Sequence, residues 1–579
     1  MKNYEVAWAL QELADLLDLT GENSFKSRAY RVAARRIQAL PKDISDLYRE
    51  GRLTEIDGIG TAIAQKIGEL LTTGEISLAQ RLREQIPAGL FDVLTVPGVG
   101  PKRAYQFYRE LGIDSLSKLK EAAKERKLRR LKGMGSKIES TVLAGIERIE
   151  NPEKKRRLLL NTADYYGCLF KDRLAQHPQV TEVAVAGSLR RMVETIGDLD
   201  LVVATESPQE VAEYFKSFPE FGELVANGPT KISAIHKSGF QVDLRIVTPQ
   251  EYPSALLHFT GSADHNIRLR QLAKGKGFRL SEYGLESTTD SKEVVTPASE
   301  AALYAFLGLP YIPPELREDR GEIEAGLAGE LPKLVELADI RGDLHIHSCW
   351  SDGGATVEEL ARAAAQRGYQ YIAICDHSRS LKIANGLELE RLKRQHADIA
   401  ELNARGDLGI TVLTGIEVDI LDERLDYEDD VLAEIDVVVA SVHSGFKQPL
   451  ERIMARIELA MRNPHVDILA HPTGRLLQRR SGYAVDMNRV IDLAVETGTA
   501  LEINSFPDRL DLDDLTARKA LQRGATIVIN TDSHHLEQLA YMTYGVAMAR
   551  RAWAGPGQIL NCKDLTSLRK WLRDRGSTH

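Results

Sequence analysis

Apolar residues recur along this chain with two different periods, and the change from one to the other divides it. From Val6 to Leu17 and from Ser27 to Leu40 they return every three or four positions, which predicts amphipathic helices. The second of these carries Arg28, Arg31, Arg35 and Arg36. In the middle of the chain, short β-branched runs take over. Val183 to Ala186 and Leu199 to Val203 predict strands joined by a loop that begins Gly187-Ser188, and a further strand follows at Phe240 to Val247. After Arg341, apolar strands alternate with helical stretches: Gly342–Ile346, Tyr371–Cys375, Ile410–Thr414, Val437–Ser441, Asp467–Ala470, Ala500–Ile503 and Thr526–Ile529. Such alternation predicts a parallel barrel, of seven units rather than eight, whose functional rim carries the carboxyl ends of the strands. Residues 315–340 between these regions are acidic and punctuated by Gly321, Gly326 and Gly329, which predicts a connecting segment with one short helix from Leu331 to Ala338.

Strand periodicity turns the middle region into chemistry. With a side-chain period of two, Asp198 and Asp200 project to one face while Leu199 and Leu201 face a core. Two adjacent carboxylates repel unless a cation lies between them, and an oxygen-only pair suits Mg²⁺, which also takes phosphate oxygens. The Gly187-Ser188 turn offers backbone N–H groups and a hydroxyl to a phosphate. Asp243, on the later strand, can join the pair as a third acid.

Near the amino terminus a shorter pattern repeats: Ile56-Asp-Gly58-Ile59-Gly60, Val96-Pro-Gly98-Val99-Gly100 and, more loosely, Leu131-Lys-Gly133-Met134-Gly135. Each sets an apolar residue before Gly-apolar-Gly and a helix start, with Lys66 and Lys102 in the helices after the first two. Glycines permit a tight turn whose N–H groups meet a DNA phosphate without reading sequence. The net charge of −9 does not announce a nucleic-acid binder, but residues 101–160 hold 17 Lys and Arg against 8 Asp and Glu. That stretch is able to neutralise phosphates while the whole chain stays acidic.

The barrel's predicted rim concentrates a second chemistry. Asp343-Leu-His345-Ile-His347, Asp352, Asp376-His377, Glu417, His443, His471 and Asp532-Ser-His534 all fall at or just beyond predicted strand ends. His-x-His on a strand turns both imidazoles to one side, as a metal requires. Imidazole mixed with carboxylate suits Zn²⁺, Mn²⁺ or Fe²⁺ rather than Mg²⁺ alone. Asp376 and His535, beside these ligands, are expected to support them from behind or to face solvent.

Composition then sets limits. A chain of 579 residues holds several domains, and 43% hydrophobic residues is ordinary for a globular protein. No apolar run approaches the ~20 residues of a membrane span, and the start Met1-Lys-Asn-Tyr-Glu-Val lacks a signal peptide's regions, so a cytoplasmic protein that avoids membranes is expected. Cys168, Cys349, Cys375 and Cys562 show no Cys-x-x-Cys spacing, which argues against a disulfide framework or a thiolate zinc site.

These motifs resemble known families. Gly187-Ser188, Asp198, Asp200 and Asp243 resemble the nucleotidyltransferase palm of family X DNA polymerases, and the Gly-x-Gly copies resemble helix-hairpin-helix modules. The nine ligands of the rim resemble the polymerase and histidinol phosphatase (PHP) domain. Together they resemble the bacterial PolX family, family X polymerases fused to a PHP domain, over essentially the whole chain. The resemblance implies a small helical domain at 1–85 that grips a 5′-phosphate, a helix-hairpin-helix domain at 86–150, palm and thumb at 151–314, a linker at 315–340 and a PHP barrel at 341–579.

It also implies residue roles. Asp198 and Asp200 would hold two Mg²⁺ or Mn²⁺ ions, with Asp243 on the ion that activates the primer 3′-hydroxyl. Gly187, Ser188 and Arg191 would hold pyrophosphate, and His258, Phe259 and Gly261 would pack on the nucleotide sugar, with His258 standing where the family usually has tyrosine. Asn266 and Arg270 would reach the minor-groove side of the new pair, and Lys231 the primer backbone. Lys26, Tyr30 and Lys66 would meet the 5′-phosphate, Lys66 standing where a lyase lysine lies in some relatives. On the rim, His345, His347, Glu417 and Asp532 would hold one metal, Asp352, His377 and His471 a second, and Glu417, His443 and His534 a third. The expected protein is a monomer that fills gaps on primer-template DNA with deoxynucleoside triphosphates and degrades 3′ ends. Alternatives are an inert, structural PHP barrel and a template-independent nucleotidyltransferase.

Overall fold

The computed structural model describes residues 3–21, 24–38, 44–56, 58–94, 96, 99–131, 133–135, 138–139, 142–143, 146, 157–228, 230–288 and 294–576. The chain folds as two compact units, Met1–Lys155 and Arg156–His579. Among the described residues no helix is long and apolar enough to cross a membrane.

The first unit is built of helices, beginning with Asn3–Leu19 and Ser24–Gln38, both starting earlier than the apolar period alone suggests. A single apolar cluster runs from Val6 through Phe107 to Ile146, so the segments expected to be separate at residue 85 share one core. The basic second helix is partly used internally. Arg31 reaches Asp15 at 2.7 Å and Asp18 at 2.8 Å on the first helix.

In the second unit a five-stranded sheet forms the palm. Its strands are β1 (Glu182–Val185), β2 (Asp198–Ala204), β3 (Phe221–Asn227), β4 (Lys231–His236) and β5 (Gln241–Val247), in the order β1-β2-β5-β4-β3. β2 and β5 run parallel and in a register that sets Asp200 opposite Asp243 and Asp198 opposite Gln241. The thumb follows with β6 (Phe278–Ser281), β7 (Gly284–Ser287) and β8 (Val294–Val295) in an antiparallel sheet. Helix Ala263–Gly275 before it starts at Ser262, whose hydroxyl accepts the His265 N–H.

The connecting segment departs from expectation. Its helix is Glu322–Ala328, between Gly321 and Gly329 in left-handed conformation, while residues 331–336 form neither helix nor strand. The Val335 N–H donates to Ala554 O, which draws this stretch along the barrel instead of leaving it to coil. The segment is also anchored by buried charge. Arg317, fully buried, donates to Glu300 at 2.7 Å and to Ile312 O, and Glu300 accepts two further bonds from Arg190 of the palm. Glu322 meets His265 Nδ1 at 2.6 Å, and the other ring nitrogen of His265 meets Tyr304.

The barrel has seven parallel strands in sequence order: β9 (Gly342–Ile346), β10 (Tyr371–Ile374), β11 (Thr411–Asp419), β12 (Val437–Ser441), β13 (Ile468–Leu469), β14 (Ala500–Asn504) and β15 (Ile527–Asn530). The ring closes where the His347 N–H donates to Ser533 O and the Asp532 N–H to His345 O. β11 is longer than the apolar run predicts. It pairs with β10 as far as Thr414, then with β12 from Gly415 to Asp419, so Glu417 lies within the strand. A Cβ at Gly415 would lie 2.7 Å from Ile374 O, so this crossing point takes glycine.

Burial opposes the charge on Glu300, but Arg190 and Arg317 hold its carboxyl below the ordinary value. Glu300→Ala leaves Arg317 buried without its partner, and denaturant unfolding of the full chain should show a loss of about 3–5 kcal/mol. The contribution is complete above the unfolded value near ~4.3 and should be lost as pH falls through the lower folded value.

Candidate functional site

Two clusters of charged side chains stand out in the second unit, and repeated turns in the first. In the palm, Gly187, Ser188, Arg191, Asp198, Asp200, His258, Phe259, Gly261, Asn266 and Arg270 line one cleft of about 430 Å³. The Gly187 turn adopts φ +60°, and a Cβ there would lie 2.1 Å from Asp200 Oδ2, so only glycine lets the turn approach the carboxylate. Asp243, opposite Asp200, has both oxygens engaged: Gln241 Nε2 donates to Oδ1 at 2.7 Å, and Lys231 Nζ lies 3.3 Å from Oδ2. Lys231, expected to face a primer, therefore stands as a cation beside the third aspartate. The bend residues interlock with their surroundings, with Arg245 over the Phe259 ring at 4.5 Å and Asn266 Nδ2 bonded to His258 O. That bond leaves Asn266 Oδ1 buried without a partner. Burial, aided by Arg270 and Arg245 and opposed by Glu282, lowers the His258 pKa and keeps the ring neutral at neutral pH.

At the barrel's carboxyl rim five of the six histidines converge on Glu417. Its carboxylate lies 2.7 Å from His377 Nδ1, 3.1 Å from His471 Nε2, 3.2 Å from His443 Nε2 and 3.6 Å from both His345 and His347 Nε2. Asp532 is 3.1 Å from His347 Nε2. Asp352 lies 3.6 Å from His377 and 3.5 Å from His534. The grouping differs from expectation for two ligands: His534 stands with Asp352, His377 and His347, while His471 stands with Glu417 beside His443. Strand order explains it. His534 follows β15, which closes against β9 and so meets the loop carrying Asp352, whereas His471 follows β13, next to β12 and His443.

The donor set fits divalent metals. His345 Nε2 and His347 Nε2 face each other at 3.2 Å, and His347 Nδ1, His377 Nδ1, His471 Nδ1 and Glu417 Oε2 are buried without hydrogen-bond partners. The 2.7 Å approach of His377 to Glu417 is thus an unaligned contact of the kind a shared cation relieves. Other nitrogens are fixed from behind: His345 Nδ1 by Glu502 at 2.8 Å, His443 Nδ1 by Asp419 at 2.6 Å and His534 Nδ1 by Asp532 O. Such partners orient ligating imidazoles. Burial opposes charge on Glu417, yet His443, His377 and His345 hold its carboxyl well below the ordinary range. Burial likewise opposes charge on His443, but Glu417 and Asp419 raise it to about 10. Burial and the imidazoles of His534 and His377 push His347 down to about 3.

Sequence reasoning misses Glu502 and Asp419. Glu502 is a fully buried acid in an apolar strand, and Asp419 is two positions beyond Glu417 on the same strand face. A carboxylate in an otherwise apolar strand needs a partner, and that need is the signal by which both could be found. Asp376 does not face solvent. It is fully buried and accepts from the Ser348 N–H and hydroxyl, from Ser351 and from Gln395, so it braces the turn after His347. His535 is exposed.

In the first unit the three glycine turns share one hydrogen-bond pattern. Ile59, Val99 and Met134 N–H groups donate to Ile56, Val96 and Leu131 carbonyls, and Gly60, Gly100 and Gly135 carbonyls accept the first bonds of the following helices. Gly58 and Gly133 adopt φ near +80°, and Gly98 lies outside the described residues. Lys102 sits in the first turn of Pro101–Leu111. Lys26 is exposed on the second helix and Tyr30 is buried. Lys66 Nζ pairs with Glu69 at 2.7 Å.

Residues 1–76 match a helix-hairpin-helix domain, 91–148 a SAM-like helix-hairpin-helix tandem, 255–318 the DNA polymerase beta thumb and 343–505 the PHP domain. The chain is 43% identical over 576 residues to "DNA polymerase/3'-5' exonuclease PolX" of Bacillus subtilis (strain 168), covering 99% of this chain and 100% of that one. A "Probable phosphatase" of Thermoanaerobacter sp. (strain X514) is 29% identical over 247 residues, 40% of this chain and 94% of its own length. DNA polymerase lambda of Rattus norvegicus is 25% identical over 344 residues, 55% of this chain and 56% of its own. The chain belongs to the PolX family, the family X DNA polymerases that carry a PHP domain.

Burial opposes charge on His345, but Glu502, Glu417 and Asp532 raise its pKa well above the ordinary value, as Glu417 and Asp419 raise that of His443, and a metal on either ring would compete with its proton. Adding Mn²⁺ to metal-free protein at pH 7 should therefore release protons, and affinity should rise with pH. Calorimetry in two buffers of different ionisation enthalpy reads that release; heats independent of the buffer would contradict it.

Proposed function

We propose that the chain fills short gaps in DNA from deoxynucleoside triphosphates and removes nucleotides from 3′ ends with its barrel. The observation that carries the polymerase half is the β2–β5 register, which sets Asp200 beside Asp243 on the face shared with Asp198, next to the Gly187 turn. Divalent ions, Mg²⁺ or Mn²⁺ in the palm and up to three Mn²⁺, Zn²⁺ or Fe²⁺ in the barrel, would neutralise phosphate charge and activate the attacking oxygen. The chain's own groups do the rest. Gly187, Ser188 and Arg191 grip the triphosphate, the His258–Phe259–Gly261 bend packs against the sugar, and Asn266 offers its unpartnered carbonyl oxygen to the nucleotide edge, with Arg270 alongside. Asp243 takes the primer end, with Gln241 and Lys231 holding its orientation.

In the barrel, Glu417 bridges two groups of imidazoles, Asp532 joins His345 and His347, and Asp352 joins His377 and His534. This arrangement suits hydrolysis of a phosphodiester near a 3′ end. The relative named "Probable phosphatase", which matches over 40% of this chain, supports removal of 3′-phosphates as a second outcome at the same rim. The glycine turns of the first unit present helix starts to phosphates on either side of a gap. Lys66, paired with Glu69, serves phosphate binding rather than Schiff-base chemistry, because a paired ammonium is a poor nucleophile.

Asp200→Ala or Asp243→Ala should lower incorporation on a one-nucleotide gap by about 100-fold or more, at least the cost of losing an outer-shell metal partner, while 3′-end degradation survives. Glu417→Ala should do the reverse. Normal gap filling by Asp200→Ala would refute the palm assignment, and undiminished degradation by Glu417→Ala would refute the barrel's.

A 5′-phosphate on the downstream strand should tighten binding. Replacing Lys26 or Lys66 should reduce the slope of log affinity against log salt by roughly 0.9 for each phosphate that is no longer neutralised. A salt titration that does not register the 5′-phosphate would remove the docking role from the first unit.

A further inference from the structure

Arg191, at the mouth of the palm cleft, is held from several sides before any ligand arrives. Its Nη1 donates to Thr260 O at 2.5 Å and its Nε to Glu318 Oε1 at 3.1 Å. Its own carbonyl accepts from Arg551 Nη1 at 2.7 Å, and the same Nη1 donates to Glu318 Oε1 at 2.9 Å. Arg551 belongs to the barrel, at the end of helix Met542–Arg551, and is 4% exposed. Its other donors go to Asp514, which also takes Arg320. A Cβ at Gly261 would lie 3.0 Å from Arg191 Nη1, so the guanidinium rests against the bend of the cleft.

The charges of this cluster do not balance. Arg191, Arg320 and Arg551 share two carboxylates, Glu318 and Asp514. Arg551 divides itself between both carboxylates, so neither Arg191 nor Arg320 is fully compensated, and Arg191 is the one guanidinium of the three that lines the cleft. A long side chain fixed in place before binding loses less freedom when an anion arrives.

We propose that Glu318 is a positioning residue that aims Arg191 at the triphosphate of the incoming nucleotide, and that Arg551 holds Glu318 there, so the barrel completes the polymerase's nucleotide pocket. This rests on the reading of Arg191 as a triphosphate ligand. It gives the barrel a part in polymerisation that is independent of its metals.

The test is steady-state filling of a one-nucleotide gap by the full-length protein, with 3′-end degradation followed in parallel. Glu318→Ala and Arg551→Met should each raise the KM for the nucleotide by about tenfold, the lower end for removal of a supporting partner, with kcat little changed and degradation unaffected. Glu318→Gln, which keeps the acceptor oxygen, should recover most of the affinity. Adding Glu318→Ala to Arg191→Ala should change nothing further, whereas additive effects would overturn the relay. Should Arg551→Met fail to fold, Arg551→Lys, which keeps the charge but not the shared bond, takes its place with the same expected direction. If Arg191→Ala leaves KM unchanged, the triphosphate reading of Arg191 fails. If Arg191→Ala raises KM while the Glu318 and Arg551 variants do not, that reading stands and the positioning proposal is overturned.

Discussion

A guanidinium without access to water, that of Arg317, governs how palm, thumb and barrel meet. A buried cation demands a partner, and Arg317 finds it in Glu300 at the start of a thumb helix, which is already bonded to Arg190 of the palm. Once that residue is fixed, its neighbours have little choice. Glu315 reaches Arg550 of the barrel, Glu318 lies between Arg191 and Arg551, Arg320 meets Asp514 and Glu322 meets His265. Within eight residues the connecting segment bonds to every part of the larger unit. Moving it would strand several charges at once, which makes it a clamp more than a tether.

The two candidate sites solve one electrostatic problem in different ways. The palm keeps Asp198 and Asp200 half-buried at an open cleft and tempers Asp243 with Gln241 and Lys231. The barrel buries Glu417 completely and surrounds it with imidazoles. The first arrangement leaves room for a substrate's phosphates among the ligands. The second builds a nearly complete shell of its own side chains.

Most of the fold is legible in the sequence because its signals are local. The Asp-x-Asp strand, the glycine turns and the alternation after Arg341 each fit within a few residues, and the palm sheet, the helix starts and the seven-stranded barrel follow them. What is not legible depends on pairing across the chain. Nothing near Thr414 announces that β11 changes partners at Gly415, so Glu417 reads as a residue beyond the strand. An acidic stretch with three glycines reads as a solvated linker, because Arg191, His265 and Arg551, which pair its carboxylates, lie from tens to hundreds of residues away. The metal groups come out mixed for His471 and His534 for the same reason: which loop faces which is decided by ring closure, not by order along the chain.

That ring closure also sets a timetable. The seam between β9 and β15 joins His345 and His347 to Asp532 and His534, groups almost two hundred residues apart in synthesis. The palm sheet is complete by Val247, whereas the rim of the barrel stays open until Asp532 has left the ribosome. A growing chain therefore owns its palm carboxylates long before it owns the full ring of imidazoles and acids at the barrel's rim. Any message cut short in between encodes a whole palm sheet beside a barrel that cannot close.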